Sequence, residues 1–429
     1  MKFKHYARRV PQKLRYYLYF IISIPLVLLA RVLRPVLHFR FGLIGVEAIG
    51  HLTTYHDIYF CEKKIGLNQG TIDIFGYHYG VICNQVLFDM IFSQNKDIII
   101  FRHFGYALYK ANDMFKGAEN YIAGMKTHDD NATIVNCHPI VKFSEIQKIK
   151  AKEALKYFGI NKDFIAIHAR DSAFSDRLVK SYKDNTYSKE RNTNIKEYFE
   201  SAKWLSKHDL NIIRIGSMSE FEIYESYIYD YSSRDLDVEL RELLDIYIQS
   251  QSKFVIIGDA GLAGVSRMLR TPMLAVNLLT PILSLNLYSP NSIFITQKYF
   301  SKKLNRNLTY VELFSAFKGE KEPKFINKLI EKYDIVFVKN TKKEILLASQ
   351  EMYYKLTNQW KVRSDEEELQ EIFWNIFESS MPLTPNYDNF IYNFLYGRSF
   401  KSYKNILYKK INITISYSFL KNNMDLLKS

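Results

Sequence analysis

The run FIAIHARDSAF, Phe164 to Phe174, carries an apolar stretch of the kind that forms a buried strand and ends it abruptly in His168, Arg170 and Asp171. A sheet interior cannot hold such groups unpaired, which places them at the strand's exit. In an open α/β sheet ligands sit at that exit, near the point where strand order reverses. An arginine there offers a planar fork of donors matched to phosphate oxygens, with a charge that does not depend on pH. A pairing of Arg170 with Asp171 or another acid for structure alone is the plainer alternative.

A second segment points to the same chemistry. FVIIGDAGLAGVSRMLRTPMLAVN, Phe254 to Asn277, reads as a buried strand, the bend GDAGLAG, a helix and a Pro-led strand. Gly258, Asp259, Ala260, Gly261 and Leu262 make the bend, and its glycines let backbone amides approach an anion at a helix start. It lacks the GK[ST] element of a P-loop and does not match GxGxxG. Glycines that only permit a tight turn fit equally. Between the two segments, SYKDNTYSKERNTNIKEYFESAKWLSKHDLNIIRIGSM begins as a polar loop, continues as a helix and ends as a strand with Gly216 at its exit. Long polar loops after a strand end are more often functional than idle, and Arg191 and Asn192 are its candidates for ligand contact. An arginine at one strand end and amides at another together make a candidate diphosphate clamp.

The elements that must position these groups alternate between strand-like and helix-like runs, the pattern of parallel sheet covered by helices. Predicted strands are Thr71–Phe75, Ile98–Phe101, Thr133–Asn136, Phe164–His168, Ile212–Ile215, Phe254–Gly258, Met273–Asn277 and Ile293–Thr296. Predicted helices are Ser144–Phe158, Ile195–Lys207, Val238–Ser250 and Leu262–Leu269, and the chain after about residue 345 reads mostly helical. At 429 residues the chain exceeds the roughly 250 to 300 at which one core stops growing. The expected organisation is a basic, apolar segment at 1–40, α/β domains at 41–160 and 161–345, and a helical, basic and aromatic segment at 346–429.

The formal charge of +14 is unevenly placed. Lys2, Lys4, Arg8, Arg9, Lys13, Arg15, Arg31, Arg34 and Arg40 precede the first acid, Glu47, and the rest of the chain carries only +5. A nucleic-acid binder would spread its excess over the folded body, so that class is set aside. Here the basic residues bracket YYLYFIISIPLVLLA, Tyr16 to Ala30, whose 15 residues are short for a bilayer and contain Pro25, expected to interrupt the helix. Basic flanks on both sides favour a monotopic or re-entrant attachment over a crossing. The stretch Tyr387 to Ser429 is again aromatic and basic, suited to anionic lipid or to packing on the body. Cys61, Cys83 and Cys137 have no CxxC spacing, so neither zinc nor a disulfide framework is indicated.

HARD, RNTNI, NIIRIGSM, the block from SRDLDVELRELLDIY to LRTPMLAVNLLTP, and NRNLTYVELF together resemble a family of bacterial glycosyltransferases. That family is similar in turn to the fucosyltransferase-like branch of two-domain transferases, in which an HxR motif binds the donor diphosphate. The likeness covers about Phe41 to Phe377. It implies a GT-B-like fold, two Rossmann-like domains facing a cleft, and a nucleotide-sugar donor held by the second domain. The HxRxxD pattern is incomplete, because Ala173 stands at its last position. In FGLIGVEAIGHLTTYHDIYFCEKK the resemblance places the acceptor and its base, with His51 first and Glu47 and Asp57 after it.

The expectation is a membrane-associated glycosyltransferase at the cytoplasmic face. It would move a sugar from a nucleotide-sugar to a lipid-linked, polysaccharide or lipopolysaccharide acceptor, with no metal and no other cofactor. The letters Asp235-Leu236-Asp237 precede a helix and are read as its cap. Two other classes stay open: a metal-dependent hydrolase using His168 and Asp171, and a nonenzymatic membrane-surface binding module.

Overall fold

A computed structural model describes residues 3–78, 80–96, 98–124, 129, 133–171, 186–216, 219, 222–232, 234–279, 289–316, 322–380 and 412–428. The chain divides into two compact units. The first comprises residues 1–129, 136–142 and 387–398, and the second residues 130–135, 143–386 and 399–429.

In the first unit, α1 (Phe3–Val32) precedes β1 (His38–Leu43), α2 (Ile49–Lys64), β2 (Thr71–Gly76), α3 (Gln85–Gln94), β3 (Ile99–Ile100), α4 (Arg102–Asn112) and β4 (Ile122–Ala123). The strands form a parallel sheet in the order β3-β2-β1-β4. A parallel ladder needs a crossover between strands, and the helices supply it while covering the sheet. The helix α2 is buried along most of its length, including His56, Asp57 and Glu62. Burial pushes the His56 ring down to about 4, although its Nδ1 meets the Leu52 carbonyl at 2.8 Å. Asp73 on β2 is also buried; Arg40 grips it through Nε and Nη2, both at 2.8 Å, and Tyr59 donates its hydroxyl. Burial alone would raise that carboxyl. Arg40, Tyr59 and Lys63 outweigh it and hold Asp73 below the usual carboxylate range.

The apolar N-terminal segment is a continuous helix, and Pro25 does not interrupt it. Proline removes one backbone donor, while Val27 and Ala30 beyond it are locked into a core with Leu108, Tyr109 and Ala111 of α4. The apolar portion is longer than its uncharged letters indicate: Gln12–Val32, 21 residues, is long and apolar enough to cross a membrane. Its inner stripe, Ser23, Val27 and Ala30, is buried, whereas Leu18, Ile21, Leu29 and Val32 on the other side are more than half exposed.

The predicted strand Thr133–Asn136 is instead a single helical turn. Short apolar runs do not separate strand from helix by periodicity, and the sheet position beside β1 is taken by β4.

The second unit is built on β5 (Phe164–His168), β6 (Asn211–Arg214), β7 (Tyr229–Asp230), β8 (Val255–Ile257), β9 (Met273–Leu278), β10 (Ile293–Thr296) and β14 (Thr414–Ile415). Among the described residues these form one parallel sheet, ordered β14-β10-β9-β8-β5-β6-β7. The chain runs outward from β5 to β7 and returns to β8 on β5's other side, so the strand order reverses between β5 and β8. Local chemistry sets the helix limits. Ser144 and Gln147 make a reciprocal cap for Glu145–Tyr157, Gly159 at φ 77° ends it, and Asp237 caps Val238–Gln251 through Leu240 N at 3.2 Å. A small antiparallel sheet joins β11 (Lys298–Ser301), β12 (Arg306–Asn307) and β13 (Ile335–Val338). Helices follow at Lys342–Leu356 and Glu366–Ser380. Residues 412–428 pack on this unit: buried Glu351 accepts from Ser416 Oγ at 2.7 Å and Tyr417 N at 3.1 Å. Most of the basic residues after Tyr387 lie outside the described residues.

In α4, a Cβ at Gly105 would stand 2.4 Å from the Phe75 carbonyl oxygen, a backbone atom with nowhere to move. Helix propensity alone favours alanine over glycine by about 1 kcal/mol, whereas overpacking costs about 1–3 kcal/mol. Gly105→Ala is therefore expected to lower the denaturant midpoint of the first unit; a raised midpoint would show that the contact does not constrain α4.

Candidate functional site

The reversal between β5 and β8 is where the residues singled out from sequence meet. Ile165, Ala166 and Ile167 of β5 are fully buried, so His168 is the first side chain able to face a ligand. Gly216, at φ 131°, passes beside that ring, with its Cβ position 3.4 Å from His168 Cδ2. Burial, and then the charges of Arg214 and Arg170, push the ring down to about 4, so it is neutral near pH 7. Its Nδ1 is shut off from solvent and has no hydrogen-bond partner among the described residues. Arg214 is itself held in a buried pair with Asp230 at 3.1 Å.

Two residues on, the Arg170 guanidinium points at the segment after the polar loop. Its Nη1 donates to the Ser188 carbonyl and to Asn192 Oδ1, each at 2.5 Å, and its Nη2 to Ser188 Oγ at 2.9 Å. Arg170's own carbonyl accepts from Thr193 N at 2.8 Å. Arg191 turns the other way: its Nε meets the Asp259 carbonyl at 3.0 Å and Asp259 Oδ1 at 3.2 Å. The dipeptide Arg191-Asn192 thus ties the exit of β5 to the Gly258–Leu262 bend at the exit of β8. A weak backbone bond from Gly258 N to His168 O, 3.4 Å, closes the link. His168, Arg170, Arg191, Asn192, Gly216, Gly258 and Asp259 are brought together. Asp171, next to Arg170 in the chain, is partly exposed, and residues 172–185 after it lie outside the described residues. The helix after the bend, Ala263–Leu269, has only seven residues, and its first amides bond to the carbonyls of Ala260, Gly261 and Leu262. The bend's defined contribution is the Asp259 contact with Arg191.

Two further groups join the site from other strand ends. Lys339, just beyond β13, donates to the Glu190 carbonyl, lies 3.2 Å from Gln297 Oε1, and sits 3.4 Å from Glu190 Oε2. Burial lowers its pKa, Glu190 and Asp259 raise it, and Arg170 lowers it further, so it feels the charges of the other strand ends. Gln297, at the end of β10, donates to the carbonyls of Glu190 and Asn277 at 2.9 and 3.0 Å. Lys339 follows the apolar run IVFV just as His168 follows FIAI. A basic residue at the end of an apolar run is the signal by which sequence reasoning could have singled it out. Among the described residues the half-buried cations Arg170, Arg191 and Lys339 converge here with the carboxylates of Glu190 and Asp259. Guanidinium and ammonium donors gathered at strand ends are suited to an anion such as a phosphate.

The three base candidates lie in the first unit. Glu47 ends the turn after β1, with Oε1 2.9 Å from the Cβ position of Gly80, and His51 follows in the first turn of α2, stacked on Tyr55 at 5.3 Å. Both are exposed. Asp57 is fully buried in α2 and accepts from Cys61 Sγ at 3.7 Å, which separates it from the other two. Among the described residues no group of three or more His, Cys, Asp or Glu is placed to hold a metal ion.

No protein-family model and no curated protein matches this chain. Its backbone is similar to several solved structures. One is the ADP-heptose lipopolysaccharide heptosyltransferase II of E. coli, at 12% identity, 60% of this chain, 90% of that chain and TM-score 0.38. A glycosyl transferase family 9 protein from Veillonella parvula matches at 10% identity, 61% of this chain, 86% of that chain and TM-score 0.40. The E. coli heptosyltransferase WaaC with ADP matches at 11% identity, 68% of this chain, 97% of that chain and TM-score 0.31. Likenesses at these scores carry no argument about what this chain binds or does.

The buried neutral state of His168 has a measurable consequence. The unfolded ring titrates near 6.5 and the folded one near 4, so in that window the unfolded chain binds more protons and stability falls as pH falls. At about pH 5 the loss from this one group is about 2 kcal/mol. All three tryptophans, Trp204, Trp360 and Trp374, belong to the second unit and report its unfolding. Tryptophan-detected urea midpoints measured near pH 7 and pH 5 are expected to differ less in His168→Gln than in the parent. Equal differences would mean that the ring is not held neutral by its surroundings.

Proposed function

We propose that this chain is a GT-B-type glycosyltransferase that takes a sugar from a nucleotide-sugar donor without a metal ion. The observation that carries the reading is the Arg170 fork, fixed at 2.5–2.9 Å by Ser188 and Asn192 at the strand-order reversal, with Arg191 linking it to the Gly258–Leu262 bend. The reading assigns the donor to the second unit and the acceptor to the first. As the sugar leaves, negative charge grows on the departing diphosphate. Arg170, Arg191 and Lys339 are prepositioned for that charge, which stabilises the transition state more than the bound donor. His168, neutral, offers a ring N–H donor where a histidinium would repel the arginines. Glu47 or His51 takes the acceptor proton as the glycosidic bond forms.

The acceptor is lipid-linked or part of a cell-surface polysaccharide or lipopolysaccharide, met at the cytoplasmic face of the membrane. Support comes from α1, whose apolar stretch Gln12–Val32 has one stripe covered by protein among the described residues. A helix of that kind requires a second apolar environment. Docking of its inner stripe on α4 favours a helix lying in the membrane plane, with the exposed Lys13, Arg15 and Arg34 at the headgroups.

A thermal-shift screen with UDP, GDP, CMP and dTDP tests the donor. A ligand at about 100 times its dissociation constant adds about 2.7 kcal/mol of stability. One diphosphate is expected to stabilise the parent and to leave Arg170→Ala unshifted, and turnover in that variant is expected to fall about 10²–10³-fold. Equal shifts in variant and parent contradict the assignment.

Truncating residues 1–40 would remove Val27 and Ala30 from the core and half of β1, so substitutions on the outer face test attachment more cleanly. Ile21→Asp with Leu29→Asp, at positions 63% and 53% exposed, is expected to move the folded protein into the soluble fraction. Unchanged membrane partitioning would refute the attachment.

A further inference from the structure

Three amide side chains meet where β9, β10 and β13 end. Asn277, near the end of β9, has φ 55°, a left-handed conformation that asparagine tolerates better than most side chains. Its backbone N donates to Asn340 Oδ1 at 2.6 Å, and Asn340 N donates back to Asn277 Oδ1 at the same distance. Asn340 Nδ2 donates to the Thr296 carbonyl at 2.7 Å, which brings in the end of β10. Gln297, next in the chain, donates Nε2 to the carbonyls of Asn277 and Glu190 at 3.0 and 2.9 Å. Asn277, Gln297 and Asn340 are 1%, 1% and 2% exposed. A buried set of amide bonds holds one geometry, because breaking any of them leaves a polar group away from water.

That geometry presents Lys339, which stands between the last residue of β13 and Asn340. Its side chain is 32% exposed; the ammonium donates to the Glu190 carbonyl, lies 3.2 Å from Gln297 Oε1 and has the Glu190 carboxylate 3.4 Å away. Arg170 reaches the same helical turn, Thr186–Glu190, two residues earlier, through the Ser188 carbonyl. Guanidinium and ammonium are therefore neighbours on the rim of the sheet. Arg170 comes from β5, whereas the strands that hold Lys339 in place, β9 and β10, lie on the far side of β8. The Glu190 carbonyl accepts from both Lys339 and Gln297, so the ammonium can leave it without stranding a buried acceptor. An ionised phosphate oxygen makes a stronger partner than that neutral carbonyl.

We propose that Lys339 is the specificity-determining residue that tells a nucleoside diphosphate from a monophosphate, and that Asn277, Gln297 and Asn340 are positioning residues acting through it. Arg170 takes the phosphate next to the nucleoside, which sits at the reversal of strand order, and Lys339 takes the second. The inference rests on the transferase reading and assigns the donor's two phosphates to separate cations. A lysine ammonium is a point charge on a flexible four-carbon stem, so its aim depends on how firmly its backbone is fixed. The Asn277–Asn340 clasp supplies that fixing one residue away.

Dissociation constants of the full chain for UDP and UMP, GDP and GMP, ADP and AMP, and dTDP and dTMP test this, with tryptophan emission showing that each variant is folded. For the pair that binds the parent, Lys339→Gln is expected to weaken the diphosphate about tenfold, the loss of one charge-assisted bond, and to leave the monophosphate within about twofold. Equal weakening of both nucleotides would mean that Lys339 only props the Ser188–Thr193 segment, and would overturn the inference; so would unchanged affinities. Asn277→Gly keeps the left-handed backbone accessible and removes the Oδ1 acceptor. It is expected to weaken the diphosphate alone, and to add nothing in the Lys339→Gln background. Additive effects would overturn the positioning role. Arg170→Ala is measured alongside. Lost binding there, with an unchanged diphosphate preference in Lys339→Gln, rejects this inference and leaves the donor reading standing. Diphosphate binding that survives in Arg170→Ala rejects the donor reading, and a parent that binds none of these nucleotides rejects both.

Discussion

The second unit is organised around a conflict between a buried strand and the polar groups at its end. Ile165 to Ile167 are sealed in the sheet, and within the next three residues come an imidazole, His168, and a guanidinium, Arg170. The fold resolves the conflict by placing β5 at the strand-order reversal, where its exit faces no crossing connection. It then supplies partners from a single short segment, Ser188 to Thr193. The same segment carries Arg191 to the opposite strand end. One stretch of six residues thus fixes the spacing of the two halves of the proposed diphosphate grip.

The first unit makes a comparable use of buried charge for structure. Asp73 is held by a bidentate arginine, a tyrosine and a lysine inside the sheet. Removing any one partner would strand charge in a low-dielectric interior, which is costly. The polar groups at the strand ends of that unit are half-exposed or exposed, and those are the groups available to a substrate. Burial therefore separates the two roles: Asp57 and Asp73 lie in the interior, while Glu47, His51 and Arg102 lie on the surface.

Much of this was legible in the letters where local rules decide the outcome. β5 and β10 have the predicted limits, and Ser144, Gly159 and Asp237 bound helices by capping chemistry that depends on a few neighbouring residues. Asp235-Leu236-Asp237 proved a helix cap, and the alternating pattern proved a parallel sheet. What depends on distant partners was not legible. Lys339 and Gln297 reach Glu190 across 149 and 107 residues, and no spacing rule signals such a contact. The burial of Asp57 follows from α2 being covered on nearly every side, which its mixed sequence conceals. The continuity of α1 through Pro25 is likewise a tertiary effect, because packing on α4 overrides the local preference.

Protein covers one face of α1 and lipid is proposed for the other. Everything proposed about chemistry still depends on the guanidinium of Arg170. The most direct measurement is the structure of the protein with its nucleoside diphosphate bound. If Arg170 is the grip, phosphate oxygens lie within hydrogen-bond distance of its Nη atoms, at the exit of β5 and beside the Gly258–Leu262 bend. A nucleotide bound elsewhere, with Arg170 still holding Ser188 and Asn192 and no phosphate oxygen, would contradict the assignment.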